Sequence, residues 1–387
     1  MLEVFHQTPQ WAVDAQAASR DGCDASPVSM PRDLRDASNF TAWLTRRFDG
    51  SVGAYEPWNE GNGDGFGGQT TDQRASYQKA AFLGFKSSTA GEVAAAAPWV
   101  CNNVLAGAGD NTTAEITEKN GRFPYMQSYN IHTYDPVADY ESEFAAARTL
   151  VRRSPSTHDV ADQQAPVGDG DTVPLWLTEC GIHLPASTAA PWSDLSPADD
   201  LRQAAFIAPS FAAAQFAGVE KHFFFVLSNY LENGLQYGLI RHDRSPRPGY
   251  SALAAVGYFF VQSTAIGRMR DLLTASPAVG YAMAAKPGGG EAKDVVVLYC
   301  PVSGQQAPAS SCATTPALLS AKVQAAASVY DMLGRQLVGP APVPANVTVT
   351  APVFLVLPSG FVSAYALYSI SLFVLPLILQ SSEKETC

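Results

Sequence analysis

The chain has 387 residues, 47% of them hydrophobic and 16% charged, enough apolar surface for a large core and more than one domain. Its net charge of −11 argues against nucleic acid or an anionic membrane surface as partner. The six cysteines (Cys23, Cys101, Cys180, Cys300, Cys312 and Cys387) show no metal-ligand spacing, and neither a metal nor a cofactor is expected.

Leu2 to His6 reads as a strand stub that lacks the basic start and apolar run of a secretory signal. A loop follows through Trp11. Pro31 to Phe48 reads as a helix, with Leu34, Phe40, Trp43, Leu44 and Phe48 near helical spacing. Val52 to Asn59 is the next strand, Thr71 to Ser88 a helix, Val93 to Trp99 a strand and Tyr125 to Tyr134 another. Helix Tyr140 to Arg153, strand Val173 to Gly181, helix Pro197 to Ala217, strand Lys221 to Leu227 and helix Pro248 to Gln262 complete an alternation of β with α. That alternation implies a parallel sheet and an α/β fold, most naturally a (β/α) barrel over residues 1–267. After Gly267 short apolar strands alternate with Gly/Pro/Ser turns, the pattern of a small β-sandwich over residues 268–360. Cys300 and Cys312 bracket one such turn and are placed to close it by a disulfide. Asn111-Thr112-Thr113 and Asn346-Val347-Thr348 fit the glycosylation triplet, a pattern common by chance.

Two stretches share one grammar. Tyr55-Glu56-Pro57-Trp58-Asn59-Glu60 and Leu175-Trp176-Leu177-Thr178-Glu179 are apolar strands that each deliver a glutamate to a Gly-containing loop. A carboxylate beside a tryptophan at a strand end is costly without a task, because desolvation disfavours its charge. Two such glutamates on separate strands of a β/α array suit double-displacement glycoside hydrolysis, which needs one protonated and one ionised carboxyl group. Glu60 is read as the acid/base and Glu179 as the nucleophile. Glu56 shares the parity of Glu60 and reads as a structural carboxylate held by polar partners inside the barrel. His132 is open between a satisfied core histidine and a ligand contact, and Tyr134 is placed to hydrogen-bond Glu179 and keep it ionised. Trp11, Trp58 and Trp99 are candidate sugar platforms, with core packing the default for each. Cys180 reads as packing. The glycines from Gly61 to Gly68 lack the Lys-Ser/Thr ending of a phosphate loop and read as a substrate loop. No Gly-x-Ser-x-Gly elbow supports a serine esterase.

The order Trp-Asn-Glu, His132-Thr133-Tyr134, Thr178-Glu179-Cys180-Gly181, Tyr237-Gly238-Leu239-Ile240 and Ser245-Pro246-Arg247-Pro248 resembles the clan A glycoside hydrolases. Within the clan it is most similar to the branch of β-xylosidases and α-L-iduronidases (family 39) and related cellulase-like enzymes, over roughly residues 2 to 360. The resemblance implies a (β/α)8 TIM barrel with a C-terminal β-sandwich and a carbohydrate substrate. It also implies acid/base Glu60 at the end of the fourth strand and nucleophile Glu179 at the end of the seventh. Asn59 then matches the residue that binds the sugar 2-hydroxyl, His132 and Tyr134 match the sixth-strand pair lining the site, and Trp58 and Trp11 are further substrate contacts.

On that alignment Leu2 to His6 is the third strand, and the first two β/α units are absent. The expectation is therefore an incomplete gene product of a full-length hydrolase or, alternatively, a folded, shortened barrel that binds carbohydrate with impaired or no activity. The eighth strand departs too, with Val226, Leu227 or Ser228 where the clan has a tryptophan. Residues 361–387 form a tail in which Phe361 to Leu379 runs 19 residues without a charge. As a helix this is about 28 Å long, near the roughly 30 Å of a hydrocarbon core. It reads as a membrane anchor or as sequence foreign to the domain, and the uncharged length favours the anchor. The location implied is extracellular or membrane-anchored, and the oligomeric state is not legible.

Overall fold

The computed structural model describes residues 1–13, 29–62, 66–67, 70–87, 98–102, 104–105, 107, 116, 119–153, 173–186, 194–269, 273–274, 278–301, 317–319, 326–339, 346–347 and 351–362. They group into two units. The first comprises Met1–Tyr134, Ser142–Cys180 and Gly218–Phe223, and the second Asp135–Glu141, Gly181–Ala217 and Phe224–Cys387.

In the first unit β1 (Leu2–Val4), β2 (Ala54–Glu56) and β3 (Trp99–Val100) pair in parallel in that order. A second sheet has the order β4 (Tyr129–Thr133), β5 (Leu175–Cys180), β6 (Val219–Phe224), with β4 and β5 parallel. A parallel bridge between Cys101 and Ser128 joins the two sheets, and the Gln127 N–H donates to the Val100 carbonyl at 2.7 Å beside it. The strands therefore run β1 to β6 in chain order. Parallel neighbours require crossovers. Helices α1 (Leu34–Arg47), α2 (Thr71–Ser87), α3 (Tyr140–Arg153) and α4 (Pro197–Phe216) lie in the corresponding connections.

Helix α1 begins where the Asp33 carboxylate accepts the Arg35 backbone N–H at 2.9 Å, and it ends with Arg46 and Arg47 at the negative end of its dipole. It packs closely on α2 because Gly84 has no side chain. A Cβ there would lie 2.8 Å from the Ser38 carbonyl carbon and closer still to Thr41 Oγ1 and the Ser38 oxygen. Tyr55 points from β2 toward these helices, stacks on Phe85 at 4.5 Å and shares a core with Trp58, Tyr77, Phe82 and Val100. On the other face of β2, Ala54 meets Cys101 and Trp176, and Trp99 stacks on Trp176 at 5.8 Å. Glu56, two residues on from Ala54, is delivered to that second face.

The strand expected over Val52–Asn59 pairs only over Ala54–Glu56. Its neighbours set this limit, since β1 offers three residues and β3 two.

In the second unit α4 is capped by Ser196, which accepts the Asp199 N–H, and it packs against α5 (Pro248–Phe259) and a six-stranded antiparallel sheet. That sheet contains β7 (Thr264–Arg268), β8 (Val279–Ala285), β9 (Lys293–Tyr299), β10 (Ser328–Asp331), β11 (Gln336–Val338) and β12 (Val353–Pro358), in the order β7-β8-β9-β12-β10-β11. Ala282, Val296, Leu298, Val329 and Leu355 form its core. A separate small antiparallel sheet joins 273–274, 317–319 and 346–347. The Ser245–Pro248 segment is fixed by Arg247, which is buried and bonds Asp200 at 2.9 Å and Asp194 at 2.8 Å. Cys300 is disulfide-bonded. Cys23, the Asn111 triplet, Cys312 and the tail beyond Val362 lie outside the described residues. Among the described residues no helix is long and apolar enough to cross a membrane.

Candidate active site

The candidate site lies entirely in the first unit and is built from the floor up. Glu56 is fully buried at the end of β2. Its Oε2 accepts from Thr178 Oγ1 at 2.8 Å and from Asn130 Nδ2. The Ser128 hydroxyl donates to Asn130 Oδ1 at 2.9 Å, which leaves the amide nitrogen to face Glu56. His132, two residues beyond Asn130 on the same face of β4, brings Nε2 to 3.5 Å from Glu56 Oε1. The sequence reading of Glu56 as held by polar partners thus has three named partners.

Strict alternation along β5 would put Glu179 on the face of Leu175 and Leu177, opposite Trp176. The register prevents this: Ile131 pairs with Leu177, but His132 pairs with Glu179, so Thr178 is an extra residue. Such a bulge turns two consecutive side chains to one side. Thr178 reaches Glu56, and Glu179 reaches Tyr134 and His132.

Glu179 Oε1 accepts from the Tyr134 hydroxyl at 2.5 Å, and its Oε2 lies 3.8 Å from His132 Nδ1. Glu60 stands four residues beyond β2 rather than at its end, with a φ of +42°, a left-handed backbone that is costly for a residue with a side chain. Two contacts hold this turn. Arg74, itself buried, donates to the Gly61 carbonyl at 3.0 Å, and the Trp58 indole N–H donates to the Phe66 carbonyl at 3.1 Å. Glu60 Oε1 then sits 2.9 Å from His132 Nδ1.

Charge follows from this packing. Burial opposes a charge on His132, but the facing carboxylate of Glu56, the hydrogen bond to Glu60 and the nearby Glu179 carry it up to about 10. Burial raises Glu179 above the ordinary carboxylate range. His132 and Tyr134 pull it down, as expected of Tyr134, but burial outweighs them. Oxygens of Glu60 and Glu179 and a nitrogen of His132 lie within 4.8 Å of one another, the one such His/carboxylate grouping among the described residues. The His132 nitrogen nearest both carboxylates, Nδ1, is the one hydrogen-bonded to Glu60.

The other expected site residues are dispersed. Asn59 is buried next to Glu60. Trp58 is 1% exposed and packs edge-on against Tyr77 in the core, while Trp11 is 67% exposed at the surface. Trp99 stacks on Trp176. Cys180 is buried with its sulfur 3.2 Å from His222 Nε2, a pairing that its distance of 42 positions along the chain conceals.

No family model matches the chain, and no curated protein matches it. Solved structures do. A GH30 endoxylanase from Clostridium papyrosolvens C71 superposes with a TM-score of 0.58 at 9% identity, covering 92% of this chain and 79% of that one. A GH51 arabinofuranosidase from Xanthomonas axonopodis pv. citri has a TM-score of 0.49 at 14% identity, over 84% and 73% of the two chains. The likeness to the endoxylanase is one of fold, an α/β fold of the kind found in clan A glycoside hydrolases. Family 39 is not singled out by it.

Proposed function

We propose that the chain is a retaining glycoside hydrolase that cleaves O-glycosidic bonds of a plant- or microbial-type oligo- or polysaccharide by double displacement. The observation that carries this reading is the convergence of Glu60, from the turn after β2, and Glu179, from β5, which bring an oxygen each to within 4.8 Å of one another beside His132. Retaining enzymes hold their two carboxyl groups about 5–5.5 Å apart, whereas inverting ones need about 6.5–9.5 Å for a water.

In this reading the Glu179 carboxylate attacks the anomeric carbon while Glu60 gives its proton to the departing oxygen. Glu60 then takes a proton from water, which attacks the same carbon and frees Glu179. Burial penalises the free Glu179 carboxylate, and forming a neutral ester relieves that penalty. The Tyr134 hydroxyl keeps the carboxylate oriented for attack. Asn59, next to Glu60 in the chain, is the candidate partner of the sugar 2-hydroxyl.

The test is a panel of aryl glycosides and glycans, xylan included because the fold neighbour is an endoxylanase, with product stereochemistry followed by proton NMR. Net retention supports the mechanism, and inversion overturns it. A second reading, a carbohydrate-binding barrel without turnover, is favoured by one observation. Among the described residues β1 pairs only with β2, and Val4 on it is exposed, so the parallel array has an open edge there. Glycan binding with no hydrolysis in the same panel would select that reading.

A further inference from the structure

We infer that Glu56 is a positioning residue for the acid/base: it holds the His132 imidazole with an N–H on each nitrogen, one aimed at Glu56 and one at Glu60. The role given to Glu60 rests on the hydrolase reading, whereas the coupling of Glu56 to His132 does not.

The geometry begins with a buried carboxylate whose two oxygens are treated differently. Oε2 is saturated by Thr178 and Asn130. Oε1 accepts no hydrogen bond, although it is fully enclosed, and the polar atom it faces is His132 Nε2 at 3.5 Å. An enclosed carboxylate oxygen without a donor is expensive, and a cationic N–H is the partner that offsets it best. A neutral imidazole has one N–H and cannot serve both sides. If that proton sat on Nδ1, Glu56 Oε1 would face a lone pair, and if on Nε2, Glu60 would lose its 2.9 Å donor once it has given up its own proton.

The supporting shell fixes this arrangement. Asn130 is oriented by Ser128 and by Asn102, and Thr178 reaches Glu56 only because of the bulge in β5. The groups facing His132 are Glu56 from β2, Glu60 from the following turn and Glu179 from β5, the last tied to Tyr134, the residue after β4. Cys101, after β3, lies near Glu56 with a thiol pushed up to about 12 by burial and by that carboxylate, so it stays neutral. The carboxyl groups around the ring each favour its doubly protonated form when ionised.

The consequence concerns Glu60 after it has given up its proton. Its carboxylate then faces a fixed N–H donor, and Glu56 cancels the imidazolium charge from behind, so Glu60 is oriented without facing an uncompensated cation.

The experiment is an imidazole NMR titration of the full chain, with the His132 signal assigned by its loss in His132→Gln, alongside kcat/KM against pH on an aryl glycoside. In the unsubstituted protein His132 should titrate at about 10. In Glu56→Gln its midpoint should fall by about one to three pH units, and the basic limb of kcat/KM should fall with it. An ordinary midpoint near 6.5 in the unsubstituted protein overturns the inference even if the variant does not fold. So does a midpoint that Glu56→Gln leaves unchanged, or one that falls while the basic limb of an active enzyme stays put. If no glycoside is hydrolysed, the hydrolase reading fails, while the titrations still decide whether Glu56 holds the imidazole.

Discussion

Tyr134→Phe deletes one hydroxyl from the site and preserves the ring. The bond removed runs 2.5 Å to Glu179 Oε1, on a carboxylate whose side chain is 19% exposed, so solvent replaces little of what is lost. A hydrogen bond to a charged group contributes about 1.5–3 kcal/mol. At about 1.4 kcal/mol per pH unit or per tenfold in rate, that is roughly one to two pH units or a 10- to 150-fold effect. The direction follows from the forces on Glu179: burial raises it, and Tyr134 is one of two groups pulling it back. Without the hydroxyl Glu179 rises further and its nucleophilic form is lost at higher pH. The loss in kcat/KM should therefore concentrate on the acidic limb and shrink toward the plateau, where Glu179 is ionised in both proteins. The assay is kcat/KM against pH with an activated aryl glycoside, so that proton donation by Glu60 does not limit the rate, with a thermal melt to confirm folding. A uniform loss across pH with an unmoved acidic limb would refute the reasoning and reduce Tyr134 to packing.

Four further outcomes are expected. Glu179→Gln should abolish turnover of every substrate, whereas Glu60→Gln should mainly slow glycosides with poor leaving groups; equal losses on activated and unactivated substrates would count against the division of roles. His132 is raised in the fold, so its contribution to stability should be complete below pH 6.5 and disappear as pH rises through about 10. Urea midpoints should show this decline, and His132→Gln should flatten it. Gly84→Ala must push α1 from α2 and should destabilise by about 1–3 kcal/mol, measurable as a lower urea midpoint with no change in product stereochemistry. Val362 packs into the second unit's core, so deleting residues 363–387 tests the proposed anchor: loss of the protein from membrane fractions supports it, and equal solubility of the two forms shows that the tail is no anchor.

The elements read from the sequence were legible where local pattern decides them. Helix Tyr140–Arg153 has the expected bounds, and the antiparallel strands around Val295–Tyr299 and Val353–Leu357 fall where alternation places them. Strand ends in the parallel array were not legible, because pairing stops where a neighbour stops. Nothing within Val52–Asn59 announces that β3 offers two residues. The same limit applies to Trp58, whose place beside the Asn-Glu pair suggests a sugar platform while its ring is enclosed by Tyr77 and the loop at Phe66.

The candidate site shows the limit most clearly in its two glutamates. The spacing Leu175, Leu177, Glu179 looks like one uninterrupted face, and taken literally it turns Glu179 away from His132. A single unpaired residue, Thr178, reverses that, and no composition signal marks it because Thr is an ordinary strand residue. Glu60 presents the converse problem: its side chain reaches His132 only from a left-handed backbone that a sequence reader reserves for glycine, with Gly61 one position away. Both irregularities lie where the chain must aim a carboxylate, and both are held by partners distant in sequence, Arg74 for one and Glu56 for the other. The residue types of the site can therefore be read from one strand at a time. Their aim cannot, because it is a property of pairs of strands.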